Sequence, residues 1–530
     1  MPRLRLVVAL LAVPLVAAPL RADERPLRAV IDAEVRAAWE REKIPAPALA
    51  DDATFLRRIF LDLVGTVPTH DEVKSFLADS DTGKRGKLID KLLDDPRFAL
   101  HQADVWDQVL FGRNPPGYDA TSNRDGFKAW LAGKFAKNEP YDRWARALLL
   151  AEEDNSTLFY VQYRDQAEET AVAVGRIFLG TQLQCARCHD HPYEPWTQRD
   201  FYGMAAFFAR LVVVEAALAA GKRRFLIGEK SSGEVLFTGS AKEQKPGRKG
   251  EPIRPKFLLG AAPEEPALPK DFKEPKPEAN KAPKPAFSRK EKLADWVVAP
   301  ENPYFTRAAA NRLWAQFLGR GLVHPVDDLS DKHPPSLPKL FDTLTVELKA
   351  HKFDVKWFIR ELVSSTTYQA SASGPVKEAL PYWFERARVR PLSAEELLAA
   401  VRAATGFDAT GDKVGGDTVA YVLRYFGEPS DGRGDFQGNL GEHLFLNNSE
   451  QLRRMIVPRK GNLADTLVKS KDSPEERVDH LFLSVLSRPP RPQERKRFVA
   501  HLATPGGRPE ALVEEAIWAL LNAAEFRFNH

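Results

Sequence analysis

The 45-residue stretch from Ala241 to Pro285 limits most strongly what this chain can fold into. It holds ten prolines and 11 Lys or Arg against 7 Asp or Glu. Proline neither continues a helix nor donates to a strand ladder, and so few apolar residues cannot offset the entropy of ordering the segment. The composition predicts an extended or disordered tether, with Ile253 and Phe257-Leu258-Leu259 as points able to dock back onto a folded part.

On both sides of the tether the apolar residues recur at helical spacing. Val30, Ile31, Val35 and Trp39 form one such stripe and Phe55, Ile59, Phe60 and Leu63 another. Further periodic runs cover Leu88 to Leu93, Phe98 to Leu110, Gly126 to Phe135 and Tyr141 to Leu150, with Trp106, Trp130 and Trp144 expected to anchor their packing. Thr69 to Glu72, Ser288 to Glu291, Ser393 to Glu396 and Ser473 to Glu476 have capping-box form. The clearest β pattern is Arg224-Phe225-Leu226-Ile227, then Ser231-Ser232-Gly233, then Glu234 to Thr238, which predicts a hairpin. The expected fold is mainly α, two helical domains joined by a β-hairpin and a Pro/Lys-rich linker. Its boundaries are a leader at 1–22, a first helical domain at 23–215, hairpin and linker at 216–287, and a second helical domain at 288–530.

Both cysteines of the chain lie in one pentapeptide, Cys185-Ala186-Arg187-Cys188-His189. Two thiols three residues apart with imidazole directly behind are what covalent attachment of haem c requires, two thioether bonds and a proximal iron ligand. A helix continuing from Gln166 to Gln184 would put Val174, Phe178, Thr181 and Cys185 on one stripe with Cys188 and His189. The same residues also allow a disulfide, a redox pair, or a zinc or other divalent-metal site drawing on Cys185, Cys188, His189 and His191 or Asp190. After Pro192 and Pro195, Thr197 is placed to cap a helix carrying Phe201, Met204, Ala205 and Phe208. Met204 is the candidate sixth iron ligand, with core filler as its other reading and a five-coordinate iron as a further option.

The N-terminus reads Arg3 and Arg5, an apolar run from Leu6 to Leu20, then Arg21-Ala22 before Asp23-Glu24, the pattern of a signal peptide. That run is shorter than the roughly 20 residues needed to span a bilayer, although Leu20 makes an imperfect cleavage site and leaves an uncleaved anchor open. No later segment is apolar enough to span. The chain is therefore expected to be exported to the periplasm, the cell surface or the medium, where haem c is attached and disulfides form. The tether's excess of Lys and Arg and the three leader arginines account for more than the net charge of +4. The remainder is slightly acidic, which argues against a nucleic-acid-binding surface.

Walker, dinucleotide-glycine, His-Glu-x-x-His and Gly-x-Ser-x-Gly motifs are absent from the sequence. Asp327 and Asp328 with His324 and His333 could form a metal cluster, or a polar loop in which Asp328 pairs with Arg320 or caps a helix. The Gly432-Arg433-Gly434 run reads as a mobile loop rather than an anion site.

Ile59 to Thr69, Cys185 to Pro192 and Trp196 to Tyr202 resemble a large secreted family of planctomycete bacteria. Its members join a cytochrome-like domain of unknown function to a second domain of unknown function. Asn302 to Phe305, Asn311 to Trp314, Gly319 to Val323, Asp327-Asp328 and Trp518 to His530 resemble that companion domain. Many relatives begin with an additional small cytochrome domain that is not seen here. Relatives also often carry a Cys-x-Cys cluster near the segment that here reads Gly432 to Gly438, which has no cysteine.

Two functions follow as expectations. One is electron transfer through haem c held by Cys185, Cys188 and His189, with an unknown redox partner or cognate secreted protein. The other is a secreted non-redox scaffold, stapled by a disulfide or metal at the same motif, that binds a partner such as an envelope polymer.

Overall fold

The structure is a computed structural model that describes residues 25–113, 124–217, 223–237, 250–276, 278–411, 413–416, 419, 422–423, 426 and 449–530. The expected signal peptide and the loop around Arg433 lie outside the described residues.

Helices form where the sequence supplies their ends. Asp51 accepts the Thr54 amide at 2.8 Å to start Asp52–Val64, and Gly65 ends that helix in the left-handed region at φ +67°. The expected capping boxes form at His70–Ala78, Ala394–Thr405 and Pro474–Leu486. At Ser288 only half the box forms. The Ser288 hydroxyl takes the Glu291 amide, while the Glu229 carboxylate accepts from that hydroxyl and from the Arg289 and Lys290 amides.

Trp106 and Trp144 pack edge to face with ring centroids 4.9 Å apart, and Tyr141 beside them reaches Phe305 of the second half at 5.1 Å. Trp130 packs at the margin and donates to Glu153 at 2.6 Å. One apolar cluster runs from Leu27 to Phe384 and takes helices from both sides of the proline tract. A second runs from Leu392 to Phe526 and includes Leu61 and Val67 from the first half. The apolar core therefore divides near residue 390 rather than at the proline tract.

The two runs expected to pair as a hairpin do form strands, but with other partners. β1 (Leu211–Ala217) lies antiparallel to β2 (Arg223–Glu229), with Leu211 opposite Glu229. β3 (Val235–Phe237) pairs with β4 (Glu251–Ile253). The turn between β2 and β3 makes its bonds outward. The Ser231 and Ser232 amides donate to Glu274 at 2.9 and 3.0 Å, and the Gly233 carbonyl accepts from Arg210 and Arg289.

From Gly250 onward the proline tract is a bound strap instead of a free tether. Phe257 stacks between Phe207 and Trp296 with centroids 5.0 Å from each, and Leu258 is buried. Glu265 accepts from Arg210 and, at 2.8 Å, from buried Arg289, and the Pro283 carbonyl takes the Glu229 amide at 2.8 Å. Proline suits such a strap, because an extended chain with few amide donors leaves few to satisfy.

The Asp52–Val64 helix lies where the two cores meet, and it buries Arg57, Arg58 and Asp62. Arg57 donates to the Phe526 carbonyl at 2.7 Å, and Arg58 to the carbonyls of Tyr368 and Ala370 at 2.7 and 2.9 Å. Asp62 accepts from the Tyr368 hydroxyl, Arg390 and Asn529, each at 2.8 Å. Asp62 is thus ion-paired with Arg390, while Arg57 and Arg58 are held by backbone carbonyls, and such hydrogen bonds are what make buried charge tolerable. Arg390 and Asn529 themselves stand on a third two-stranded pair, β5 (Arg390–Pro391) with β6 (Phe528–Asn529). Among the described residues no helix is long and apolar enough to cross a membrane.

Candidate functional site

The chain enters the cysteine segment by breaking a helix. The continuous helix expected from Gln166 to Gln184 is instead Ala167–Val174, a π turn Gly175–Leu179, a left-handed Gly180 and a 3-10 turn Leu183–Arg187. Close packing sets the break. A Cβ on Gly175 would stand 2.9 Å from the Leu183 side chain, and one on Gly180 would stand 2.9 Å from Leu329. Val174, Phe178 and Thr181 are buried, whereas Cys185, Cys188 and His189 are exposed, so the apolar stripe does not continue into the cysteine face.

The 3-10 turn Leu183–Arg187 carries Cys185 and ends at Cys188, its C-cap, three residues further on. Both are free thiols. Arg187 between them is held by Glu168 and Glu169, each at 2.7 Å, and this fixes the turn to the start of the preceding helix. The following loop is closed by the Gln198 amide donating to Asp190 at 2.8 Å, the Gln198 side chain donating to the Arg187 carbonyl at 2.8 Å, and the His191 amide donating to the Trp196 carbonyl at 3.0 Å. Thr197 caps Gln198–Ala205 as expected, with Asp200 completing the box.

The two histidines of the segment are held differently. His189 Nδ1 lies 2.7 Å from the Asp190 carbonyl, which can only accept, so in the neutral ring Nδ1 carries the proton and Nε2 the lone pair. His191 Nδ1 receives the Glu194 amide at 3.0 Å and must itself be the acceptor, which puts the proton of the neutral ring on Nε2. Burial, with the charges of His189 and Lys332, holds His191 below the ordinary imidazole range despite Asp328. Met204 is fully buried in the larger core, among the other apolar side chains of its helix and away from solvent.

Across from this segment lies a loop from the second half. The Leu329 amide donates to the Gly180 carbonyl at 2.7 Å, Gln182 reaches Asp327 at 3.4 Å, and the Lys332 ammonium covers the Tyr193 ring. Asp328 pairs with His333 at 2.9 Å and not with Arg320, while His324 Nδ1 is buried without a partner. Burial pushes the Glu194 carboxyl up, and Asp331 and Asp328 add to the effect. Among the described residues no group of three or more His, Cys, Asp or Glu side chains is arranged to hold a metal ion. The sequence carries no local sign that residues 327–333 pack against the stretch from Gly180 to Tyr193, because the two lie far apart along the chain and meet only through the fold.

Fold and site together define a mainly helical chain with two apolar cores and a surface Cys-x-x-Cys-His segment where its two halves touch. Residues 30–212 match the family PSCyt2, described as a protein of unknown function (DUF1549), and residues 289–437 match PSD1, described as a protein of unknown function (DUF1553). No curated protein and no solved structure matches the chain.

Proposed function

We propose that this chain is an exported, c-type-cytochrome-like protein that would carry haem c on Cys185 and Cys188 with His189 as proximal ligand, and that serves electron transfer in the periplasm or at the cell surface. The observation that carries this reading is the His189 ring. Its Nδ1 proton is committed to the Asp190 carbonyl, leaving an exposed Nε2 lone pair beside two exposed thiols on one turn. A zinc or other divalent site completed by His191 is less well served, since the lone pair of His191 Nδ1 is taken by a backbone amide. Haem, when bound, supplies a reversible one-electron couple at iron.

The chain's own residues hold the turn in place and set aromatic rings beside it. Glu168, Glu169 and the Gln198 side chain hold Arg187 just before Cys188, and the Gln198 amide holds Asp190 after it. His191, Trp196 and Tyr304 form a short row of rings beside the turn, with centroids 5.8 and 6.4 Å apart and only Trp196 buried. The exposed position suits exchange with a redox partner or cognate secreted protein docking at this face. Met204 has no part in the proposal, because a fully buried thioether would need the core opened to reach a group on the surface.

The test is an absorption spectrum of the protein matured in a host with active c-type haem attachment, compared among the parent, His189→Ala and His191→Ala. A Soret band that His189→Ala shifts and His191→Ala leaves in place supports the assignment. A band indifferent to His189 refutes the ligand assignment. Absence of any band, beside a control cytochrome that matures, turns the reading to the scaffold alternative.

A further inference from the structure

A second site, independent of the cysteines, is built into the junction of the two halves. A cleft of about 300 Å³ opens between the Pro96–Phe111 helix, the π turn at Gly175–Leu179, the Phe305–Leu318 helix and the segment from Arg390 to Glu396. Four arginines line it, and they divide into two kinds. Arg113 pairs with Glu395 at 2.6 and 2.7 Å, and Arg390 pairs with Glu396 at 2.7 Å and Asp62 at 2.8 Å. Arg176 and Arg312 have no carboxylate within ion-pair distance among the described residues. The Arg312 Nη2 donates to the Arg176 carbonyl at 3.2 Å, while its Nε is buried with no partner. Burial holds the Arg312 guanidinium below its ordinary value, although Tyr141 and Asp327 act the other way.

Asp104 and Asp327 also line the cleft, but Asp104 is paired with Lys128 and Asp327 lies beyond ion-pair distance of both arginines. Two half-buried guanidinium groups therefore share the cleft with no ion pair of their own among the described residues, an arrangement that an added anion would stabilise. Guanidinium prefers planar oxyanions, which it can grip through two parallel N–H donors. Val105, Val109, Ile177, Val326 and Leu392 supply apolar wall on the remaining sides. An inorganic anion would leave that wall in contact with water, whereas an organic one would cover it. Arg176 also sits on a π turn, a helix irregularity that often accompanies function, and here the irregularity places the arginine on the cleft.

We propose that the cleft is a binding site for a small organic carboxylate, whose oxygens are gripped by Arg176 and Arg312 and whose apolar body lies against Val105, Val109 and Ile177. The site does not depend on haem, so its test is separate from that of the cysteine segment.

The experiment is calorimetric titration of the full chain with acetate, butyrate, benzoate and inorganic sulfate. Saturable binding of butyrate or benzoate at one site per chain is expected, tighter than that of acetate or sulfate. Arg176→Gln and Arg312→Gln should each weaken it about tenfold to a hundredfold, as the loss of a charge-assisted bond implies. Far-UV circular dichroism checks that the variants fold, and if Arg312→Gln does not, Arg176→Gln alone decides. No saturable binding of either larger carboxylate, a response to sulfate only, or binding unchanged in Arg176→Gln overturns the proposal.

Discussion

Replacing Asp62 by Ala should detach the second apolar core from the first. Asp62 is 7% exposed and accepts three hydrogen bonds of 2.8 Å, from the Tyr368 hydroxyl, the Asn529 amide and Arg390. Arg390 keeps Glu396 after the change, but the Tyr368 hydroxyl and Asn529 amide, both buried, lose their acceptor. Each orphaned donor costs about 1–3 kcal/mol, so the expected loss is about 4 kcal/mol. The chain has two cores, so a single two-state melt is not the right measure. Scanning calorimetry together with hydrogen exchange of Leu463–Lys469 and Pro474–Leu486 follows the second core directly. At roughly 2–4 °C per kcal/mol its transition should fall by about 10 °C. Asp71→Ala, at a side chain 96% exposed, should stay within about 0.5 kcal/mol of the parent. If Asp62→Ala melts no earlier than Asp71→Ala, the assignment of this helix as the tie between the cores is wrong.

Acid should loosen the same junction through another pair. His70 and His480 stack with ring centroids 4.0 Å apart, and burial first, then the neighbouring His70, pushes His480 down to about 4. A base that is harder to protonate when folded adds stability that is complete above about pH 6.5 and is lost as pH falls towards 4. With solvent screening at a partly exposed ring the loss is about 1–2 kcal/mol. Chemical denaturation at pH 7 and pH 4.5 checks it, and His480→Gln should flatten the difference. At Met204, Leu should cost less than about 1.5 kcal/mol and leave any haem spectrum unchanged, while Ala should cost about 2–5 kcal/mol in thermal denaturation. Gly65→Ala combines φ +67° with a Cβ driven into the His101 ring, and should cost at least about 1–3 kcal/mol in the same assay.

What the sequence made legible was what neighbouring residues decide among themselves. The capping boxes at Thr69, Ser393 and Ser473 and the cap at Thr197 span four residues each, and all form. The strands at Arg224 and Val235 were legible as strands, but their partners were not, because Glu274, Arg210 and Arg289 take the bonds of the turn that would have joined them. Proline content alone could not show that Glu265 has two arginines waiting for it, which is why a bound strap read as a tether. The stretch from Gln166 to Gln184 read as one continuous helix because the breaks at Gly175 and Gly180 depend on close packing against Leu183 and Leu329, which spacing does not show, and they decide which way the cysteines face. Arg57, Arg58 and Asp62 have acceptors and donors hundreds of residues away, and their helix reads locally as an ordinary amphipathic one. For the candidate site, the pentapeptide itself was the whole signal. The tautomers of His189 and His191 depend on loop geometry and could not be read from spacing.

Intact mass of the protein, unfolded in denaturant after maturation in a host that attaches haem c, tests the central claim most directly. The account predicts about 616 Da above the unmodified mature chain, retained without native structure because the links are covalent, and lost in the Cys185→Ala, Cys188→Ala double variant. A mass equal to the bare polypeptide, while a control cytochrome from the same cells carries its haem, would contradict it.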